Sequence, residues 1–262
     1  MSKLQDNVIV VIGGTTGIGL SASRSFIAEG ARVVALGRNA QSVAEAQIVL
    51  GQNAYVFAAD AIDPETAPRA IEEALKRFGG FHGLYHVAGG SGRRMGDGPL
   101  HEISDTGWEF TLNLNLTSLF NSNRAAIRQF LRQSTGGRIL NLGSVLGFSP
   151  SSRYFSTHAY SATKAAIIGL SKAAASYYAE KNIRVNVLAP ALVETPMAQR
   201  AVSDDAIVKF VATKQPLDGG RVGQPSDLDA AAVYFLSDDS KFVTGQVLAV
   251  DGGWSVSEGQ IA

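Results

Sequence analysis

The sequence predicts one α/β domain with a doubly wound (Rossmann-type) parallel sheet of about seven strands and helices on both faces. Short apolar runs alternate with helical stretches along all 262 residues, the pattern of a parallel sheet with right-handed crossovers. The first run, 7–12, leads into a glycine-rich turn, a helical stretch over 20–29 and a second apolar run over 31–36. This order is that of a βαβ unit. The length suits one domain, so we assign residues 1–262 to it.

Seven apolar runs are the candidate strands, because strands that are buried on both faces are apolar throughout. They cover residues 7–12, 31–36, 54–59, 83–88, 137–142, 183–188 and 246–250. Ligands of such sheets bind beyond the carboxyl ends of the strands. Residues that end or follow these runs should therefore converge on one crevice: Gly13, Asp60, Ala88, Ser144 and Pro190.

Two segments between the predicted elements are irregular. The first, 194–223, contains prolines and adjacent glycines. We expect it to be a mobile flap, since segments beside a crevice often close over substrate. The second, 89–98, carries Arg93 and Arg94 between glycines. Adjacent arginines at the mouth of the crevice would attract an anionic substrate, and a solvated loop explains them equally well.

Composition excludes several classes of function. The 23 basic and 23 acidic residues balance, so the chain has no basic footprint for nucleic acid or an anionic membrane. It contains no cysteine, which excludes disulfides, thiolate catalysis and zinc–sulfur sites. The four histidines show no metal-ligand spacing with carboxylates, so we predict no metal. We see no leader and no long apolar span, which predicts a cytoplasmic location.

The turn after the first run reads Gly13-Gly14-Thr15-Thr16-Gly17-Ile18-Gly19. Glycines at this crossover let the backbone approach a pyrophosphate, and the following helix N-terminus offers free N–H groups. A glycine-rich turn without a ligand is the alternative. The order of strand, glycines and helix favours dinucleotide binding.

The second run ends in Gly37-Arg38-Asn39, where a dinucleotide fold that binds NAD carries an acidic residue. Arg38 stands there instead, and a guanidinium binds phosphate in bidentate fashion. Thr15 or Thr16 would add a hydrogen bond. We therefore predict NADP(H) rather than NAD(H). Arg38 as a plain surface residue is the alternative.

Tyr160 and Lys164 are four residues apart in a helical stretch, so they share one face of that helix. An ammonium beside a phenol favours the phenolate and lowers the pKa of the tyrosine. Such a tyrosine exchanges a proton with an alcohol or ketone oxygen. Taken alone, the pair fits a solvated helix face as well.

The spacings Gly-x-x-x-Gly-x-Gly and Tyr-x-x-x-Lys together resemble the short-chain dehydrogenase/reductase family. The resemblance covers essentially the whole chain, in sequence order. Its further matches are Asp60, Ala88-Gly89, Asn115 in Asn-Leu-Thr, Ser144, Asn186 to Pro190, and 244–253.

The resemblance implies hydride transfer between a nicotinamide and a carbonyl or secondary alcohol carbon of a small molecule. It makes Tyr160 the general acid in reduction and the general base in oxidation. Lys164 would lower the pKa of Tyr160 and bind the nicotinamide ribose, and Ser144 would bind the substrate oxygen. Asn115 would hold a water that links Lys164 to solvent, with Asn113 as a competitor for this role.

The resemblance also implies the cofactor contacts. Asp60 and Ala61 would flank the adenine, Ala88-Gly89 would pass near the ribose, and Val193 and Thr195 would hold the carboxamide. The complete set of predicted cofactor-binding residues is Gly13, Thr15, Thr16, Gly17, Ile18, Gly19, Arg38, Asp60, Ala61, Ala88, Gly89, Tyr160, Lys164, Pro190, Val193 and Thr195.

The resemblance further implies a homotetramer built as a dimer of dimers, with intramolecular packing of the apolar helix faces as the alternative. The chain departs from the family pattern at His86, where asparagine is usual, at Ala191, where glycine is usual, and in a longer loop over 145–159. None of these changes removes a catalytic group. Two other functions stay open: a cofactor-binding sensor without turnover, and an NAD-dependent catabolic alcohol or sugar dehydrogenase.

Overall fold

In the computed structural model, which describes residues 2–260, seven strands form one parallel sheet in the order β3-β2-β1-β4-β5-β6-β7. The strands are β1 (Val8–Ile12), β2 (Arg32–Gly37), β3 (Ala54–Ala58), β4 (Gly83–His86), β5 (Gly137–Leu142), β6 (Ile183–Pro190) and β7 (Val247–Val250). The predicted fold class is confirmed. The strand order reverses between β1 and β4, and doubly wound sheets bind ligands beside such a reversal.

Helices cover both faces of this sheet. They are α1 (Gly17–Ala28), α2 (Ala40–Leu50), α3 (Thr66–Phe78), α4 (Asp105–Leu112), α5 (Ser118–Gln133), α6 (His158–Tyr178), α7 (Gln199–Val202), α8 (Asp205–Lys214) and α9 (Asp229–Leu236). Within residues 2–260, no helix combines the length and the apolar character that a bilayer span requires.

Strand β1 shows why its sequence is apolar without alternation. Ile9 and Val11 pack on one face of the sheet in a cluster with Phe26 of α1. Val10 packs on the other face in a cluster with Phe130 of α5. All five residues of the strand are buried, so neither face admits a polar side chain. Two layers of helices therefore hold the carboxyl end of β1 at the centre of the molecule.

A smaller apolar cluster lies in the loops at the carboxyl edge of the sheet. Phe210 of α8 packs against Trp254 with ring centroids 5.9 Å apart, and against Tyr154 at 5.3 Å. The segment 194–223 thus contains two helices and packs through Phe210 against apolar residues outside it. Its mobility stays a prediction.

Candidate active site

The glycines of the turn between β1 and α1 leave no room for side chains at positions 13 and 19. Gly13 has a φ of +88°, and a Cβ atom there would lie 2.7 Å from the backbone nitrogen of Ala88. A Cβ atom on Gly19 would overlap the carbonyl oxygen of Gly13. No described side chain caps the start of α1 at Thr16. Glycines and free N–H groups therefore form a cradle that fits a pyrophosphate.

The end of β2 is shaped by Thr15. A Cβ atom on Gly37 would overlap the hydroxyl oxygen of Thr15, which is buried and accepts a 3.4 Å hydrogen bond from Ser42. Thr15 thus fills the space that an acidic side chain at position 37 would need. Arg38 follows directly, is exposed, and forms no hydrogen bond or ion pair within residues 2–260. Its guanidinium is free to bind a phosphate.

The other predicted cofactor residues lie along the same edge of the sheet. A Cβ atom on Gly17 would lie 3.1 Å from Cγ2 of Thr195, so the flap begins beside the glycine turn. Asp60 lies beyond the end of β3, with its carboxylate accepting from the Ile62 N–H at 3.1 Å. Pro190 ends β6, and buried Val193 pairs with Gly223 in an isolated bridge. Of the remaining side chains, Thr16 is exposed, Ile18 is buried in the core, and Ala61 and Ala88 are half-buried against it.

Helix α6 brings Tyr160 and Lys164 to the carboxyl end of β5. The Lys164 ammonium nitrogen donates a 2.8 Å hydrogen bond to the carbonyl of Leu142, the last residue of that strand, and lies 5.4 Å from the centroid of the Tyr160 ring. Ser144 follows two residues after Leu142 and is buried. Gly147, just beyond it, packs so closely on α6 that a Cβ atom would lie 2.8 Å from the Lys164 carbonyl carbon. Strand and helix thus place three predicted catalytic groups together.

The pKa values of the pair differ from the sequence prediction. Tyr160 is partly exposed, yet the loss of hydration raises the pKa of its phenol to about 12, with the Ser144 hydroxyl as an opposing influence. Burial lowers the pKa of Lys164 to about 8. The sequence predicts that Lys164 lowers the pKa of Tyr160, whereas in this structure the desolvation of the phenol raises it. The Lys164 ammonium is instead hydrogen-bonded to the carbonyl of Leu142.

Asn115 lies at the centre of a π-helical turn, Asn113–Thr117, between α4 and α5. Its side-chain amide donates to the carbonyls of Thr111 and Gly90, both at 2.9 Å, and accepts from the Gly90 N–H at 3.0 Å. A Cβ atom on Gly89 would lie 2.7 Å from the Asn115 oxygen and 3.7 Å from the Lys164 nitrogen. Asn113 is exposed. The structure thus places Asn115, and not Asn113, beside Lys164.

Asp97 lies beside Tyr160, a position that the sequence analysis did not predict. Its carboxylate is buried and accepts backbone hydrogen bonds from Ala159 and Tyr160, each at 3.0 Å. It caps α6 from a distant loop, because Thr157 at the cap position forms no side-chain cap bond. The same loop is joined to α6 by the backbone N–H of His158, which donates to the carbonyl of Gly98 at 3.1 Å. Asp97 thereby fixes the backbone of Tyr160 itself.

His86 takes over a structural role at the end of β4. Its Nδ1 lies 2.8 Å from the Ser122 hydroxyl, and its Nε2 lies 3.1 Å from the carbonyl oxygen of Ala88. Burial, and next the positive charge of Lys164, lower the pKa of His86 to about 3, so it is neutral. A neutral histidine therefore ties β4 to α5 at a position where the family usually has asparagine.

Comparison with known proteins agrees with this geometry. The family model described as enoyl-(acyl carrier protein) reductase matches residues 13–255. The chain belongs to the short-chain dehydrogenase/reductase family. Among solved structures, a short-chain type dehydrogenase/reductase from Mycobacterium ulcerans superposes with a TM-score of 0.89 at 31% identity, covering 98% of this chain and 92% of that one.

Characterised relatives of this short-chain dehydrogenase/reductase match it over nearly the whole length. It is 33% identical over 258 residues to 2,5-dichloro-2,5-cyclohexadiene-1,4-diol dehydrogenase LinX from Sphingobium indicum, with 97% of this chain and 98% of that protein covered. It is 31% identical over 253 residues to 2-dehydro-3-deoxy-D-gluconate 5-dehydrogenase from Dickeya dadantii, covering 96% of each. The relatives are dehydrogenases of alcohol groups. This family member is accordingly an oxidoreductase with a nicotinamide dinucleotide as cofactor.

Proposed function

We propose that this short-chain dehydrogenase/reductase is an NADP(H)-dependent enzyme that interconverts a ketone and a secondary alcohol in a small molecule. The observation that carries the proposal is the convergence of Ser144, Tyr160, Lys164 and Asn115 beside the glycine cradle of β1 and α1. When bound, the nicotinamide cofactor supplies or accepts the hydride.

The chain's own residues supply orientation and the proton. With a pKa near 12, the Tyr160 phenol is protonated at neutral pH, so in reduction it can donate its proton to the substrate oxygen. The Ser144 hydroxyl, which is buried at the same place, donates a hydrogen bond to that oxygen and stabilises its negative charge. Deprotonation of Tyr160 in the oxidation direction requires further positive charge in the site. Lys164, with a pKa near 8, is the internal group that can pass the proton on.

The preference for NADP(H) rests on the end of β2. Arg38 is exposed and without a partner among residues 2–260, and Thr15 excludes the acidic side chain that binds NAD ribose hydroxyls. A dehydrogenase that uses NAD(H) for catabolism is the second candidate, because the relatives are named for the oxidation of a diol and of a sugar acid.

The experiment is oxidation of NADPH and, separately, of NADH by the purified protein with cyclic ketones, keto-esters and keto-acids. Turnover with NADPH supports the proposal. Turnover with NADH alone would favour the second candidate. Tight cofactor binding without turnover of any substrate would favour a sensor.

We also propose a homotetramer. Large apolar side chains are exposed on α4 to α6, among them Trp108, Phe120 and Tyr177, and Phe242 is fully exposed near the start of β7. Exposed apolar side chains of this size suit contacts between subunits. Light scattering should give a mass four times that of one chain, and a monomer at working concentration would contradict this. A cytoplasmic location and the lack of nucleic-acid or membrane partners stay predictions of the sequence.

A further inference from the structure

Two segments with arginines face each other at the mouth of the active site. The first is the loop 89–98 after β4. The second is the flap around α7, which reaches that loop at Met197, whose sulfur lies 3.9 Å from the place a Cβ atom on Gly90 would occupy. The two segments therefore close on each other directly beside Asn115, to which Gly90 is hydrogen-bonded.

Arg93 lies in the loop 89–98, which is hydrogen-bonded to the predicted catalytic residues on both sides of Arg93. On one side, Gly90 is bonded to Asn115 through both its N–H and its carbonyl. On the other side, Asp97 is bonded to the backbone of Tyr160. Arg93 lies between them in a short 3₁₀ turn and is partly buried, unlike its exposed neighbour Arg94. The loop that carries Arg93 is thus held at both ends by hydrogen bonds to Asn115 and Tyr160.

Arg200 approaches from the flap. It is exposed on α7 and donates a 3.1 Å hydrogen bond to the carbonyl of Tyr154. Tyr154 lies in the loop between Ser144 and Tyr160, and Arg153 stacks its guanidinium 5.5 Å from the ring centroid of Tyr154. Arg200 is thus held against the loop 145–159, and Arg153 lies beside it.

Arg93 and Arg200 concentrate positive charge at this place. Burial, and next the charge of Arg200, lower the pKa of Arg93, which shows that the two guanidinium groups lie within electrostatic reach of each other. Asp97 is the carboxylate that opposes this, but both its oxygens already accept helix N–H groups. Within residues 2–260, none of Arg93, Arg94, Arg153 and Arg200 forms an ion pair with a carboxylate. Like charges held together without a counter-ion are typical of an anion site.

We propose that Arg93 and Arg200 bind an acidic group on the substrate, so that the enzyme acts on small ketones or secondary alcohols that carry a carboxylate or a chemically similar anion. This inference rests on the proposed oxidoreductase function. A planar guanidinium fork matches a carboxylate in two parallel hydrogen bonds, and one arginine from each side would hold the substrate as the flap meets the loop. The reacting carbon is thereby presented to Ser144 and Tyr160.

The test compares matched acids and neutral esters, here 3- and 4-oxocyclohexanecarboxylate and their methyl esters. Binding to the protein saturated with oxidised cofactor is measured by calorimetry, because a ketone cannot react in that complex. Turnover with reduced cofactor is measured in parallel. The variants are Arg93→Gln, Arg200→Gln and the double variant. Arg32→Gln is the control, since Arg32 is an exposed arginine at the amino end of β2, on the opposite edge of the sheet.

We expect wild type to bind at least one acid about tenfold or more tightly than its ester. The double variant should reduce this ratio to near one, with little change for the ester, and Arg32→Gln should keep it. Equal binding of acids and esters by wild type, or an unchanged ratio in the double variant, would overturn the inference. Reduction of the esters in that case would leave the proposed function intact. Preferred binding of an acid without turnover of any ketone would support the anion site and count against the oxidoreductase proposal.

Discussion

Replacing Asp97 by asparagine tests whether a distant loop positions the catalytic tyrosine. The buried carboxylate accepts two hydrogen bonds from the first turn of α6, both at 3.0 Å. The amide of Asn offers one acceptor oxygen, so one N–H loses its partner and the helix loses a negative charge at its N-terminus. A lost charge-assisted bond costs about 2 kcal/mol, and the lost helix-dipole interaction about 0.5–1 kcal/mol.

The expected destabilisation is therefore about 3 kcal/mol, which lowers the Tm of a protein of this size by about 6–12 °C. Activity should fall further than stability explains, because even a 1 Å displacement of Tyr160 can reduce turnover by up to about 100-fold. Thermal unfolding and kcat are measured together, and cofactor affinity should be unchanged. Asp97→Glu should restore part of the activity.

The matched control is Asp251→Asn. Asp251 likewise accepts two backbone hydrogen bonds, from Gly253 and Ser255 at 2.9 Å each, but on a turn after β7. The Asp251→Asn substitution should lower the Tm and leave kcat within about threefold of wild type, because Asp251 does not hold the backbone of Tyr160. Wild-type kcat in Asp97→Asn, or equal losses of kcat in both variants, would refute the positioning role.

Further predictions concern the cofactor and the buried lysine. Arg38→Ala should raise KM for NADPH about tenfold or more and leave KM for NADH unchanged, and an unchanged NADPH/NADH preference would refute the assignment. Gly37→Asp should not create NADH preference unless Thr15→Ala removes the overlapping hydroxyl, which steady-state kinetics with both cofactors can decide. Lys164 has a folded pKa near 8, below its unfolded value, so between pH 8 and 10 the unfolded chain binds more protons. The free energy of unfolding of the cofactor-free protein should rise there by up to about 1 kcal/mol per pH unit. Denaturant titrations of Lys164→Met should lack this rise.

The fold and most of the site follow from local sequence because their causes are local. The sequence of β1 is apolar throughout because both faces of the strand are buried, and this predicts a strand. Position 13 is a glycine because Ala88 leaves no room for a Cβ atom there, and this glycine predicts the cofactor turn. The residue at which a strand ends depends more on contacts with distant parts of the chain. The fourth run, expected to reach residue 88, ends at His86, because the chain then turns to bond the carbonyl of Ile12 through both Val87 and Ala88.

The missed features depend on contacts between distant residues. Asp97 is 62 residues from Ala159 in the sequence. Only the folded chain shows that Asp97 caps the helix that begins beside Ala159. The signal in the sequence was an acid between two glycines in an otherwise basic loop. The π-turn that buries Asn115 breaks the helical period from which side-chain direction is inferred. The raised pKa of Tyr160 follows from burial, which the spacing of Tyr160 and Lys164 does not specify.

The central claim is that Tyr160 gives its proton to the oxygen of a ketone while the cofactor reduces the carbon. The most direct measurement uses NADPH deuterated at C4 with a ketone that the enzyme turns over, and mass spectrometry of the product. Wild type should place deuterium on the alcohol carbon, whereas Tyr160→Phe should form product about 100-fold or more slowly while it binds the cofactor as tightly. Product formation by Tyr160→Phe at the wild-type rate would contradict the account.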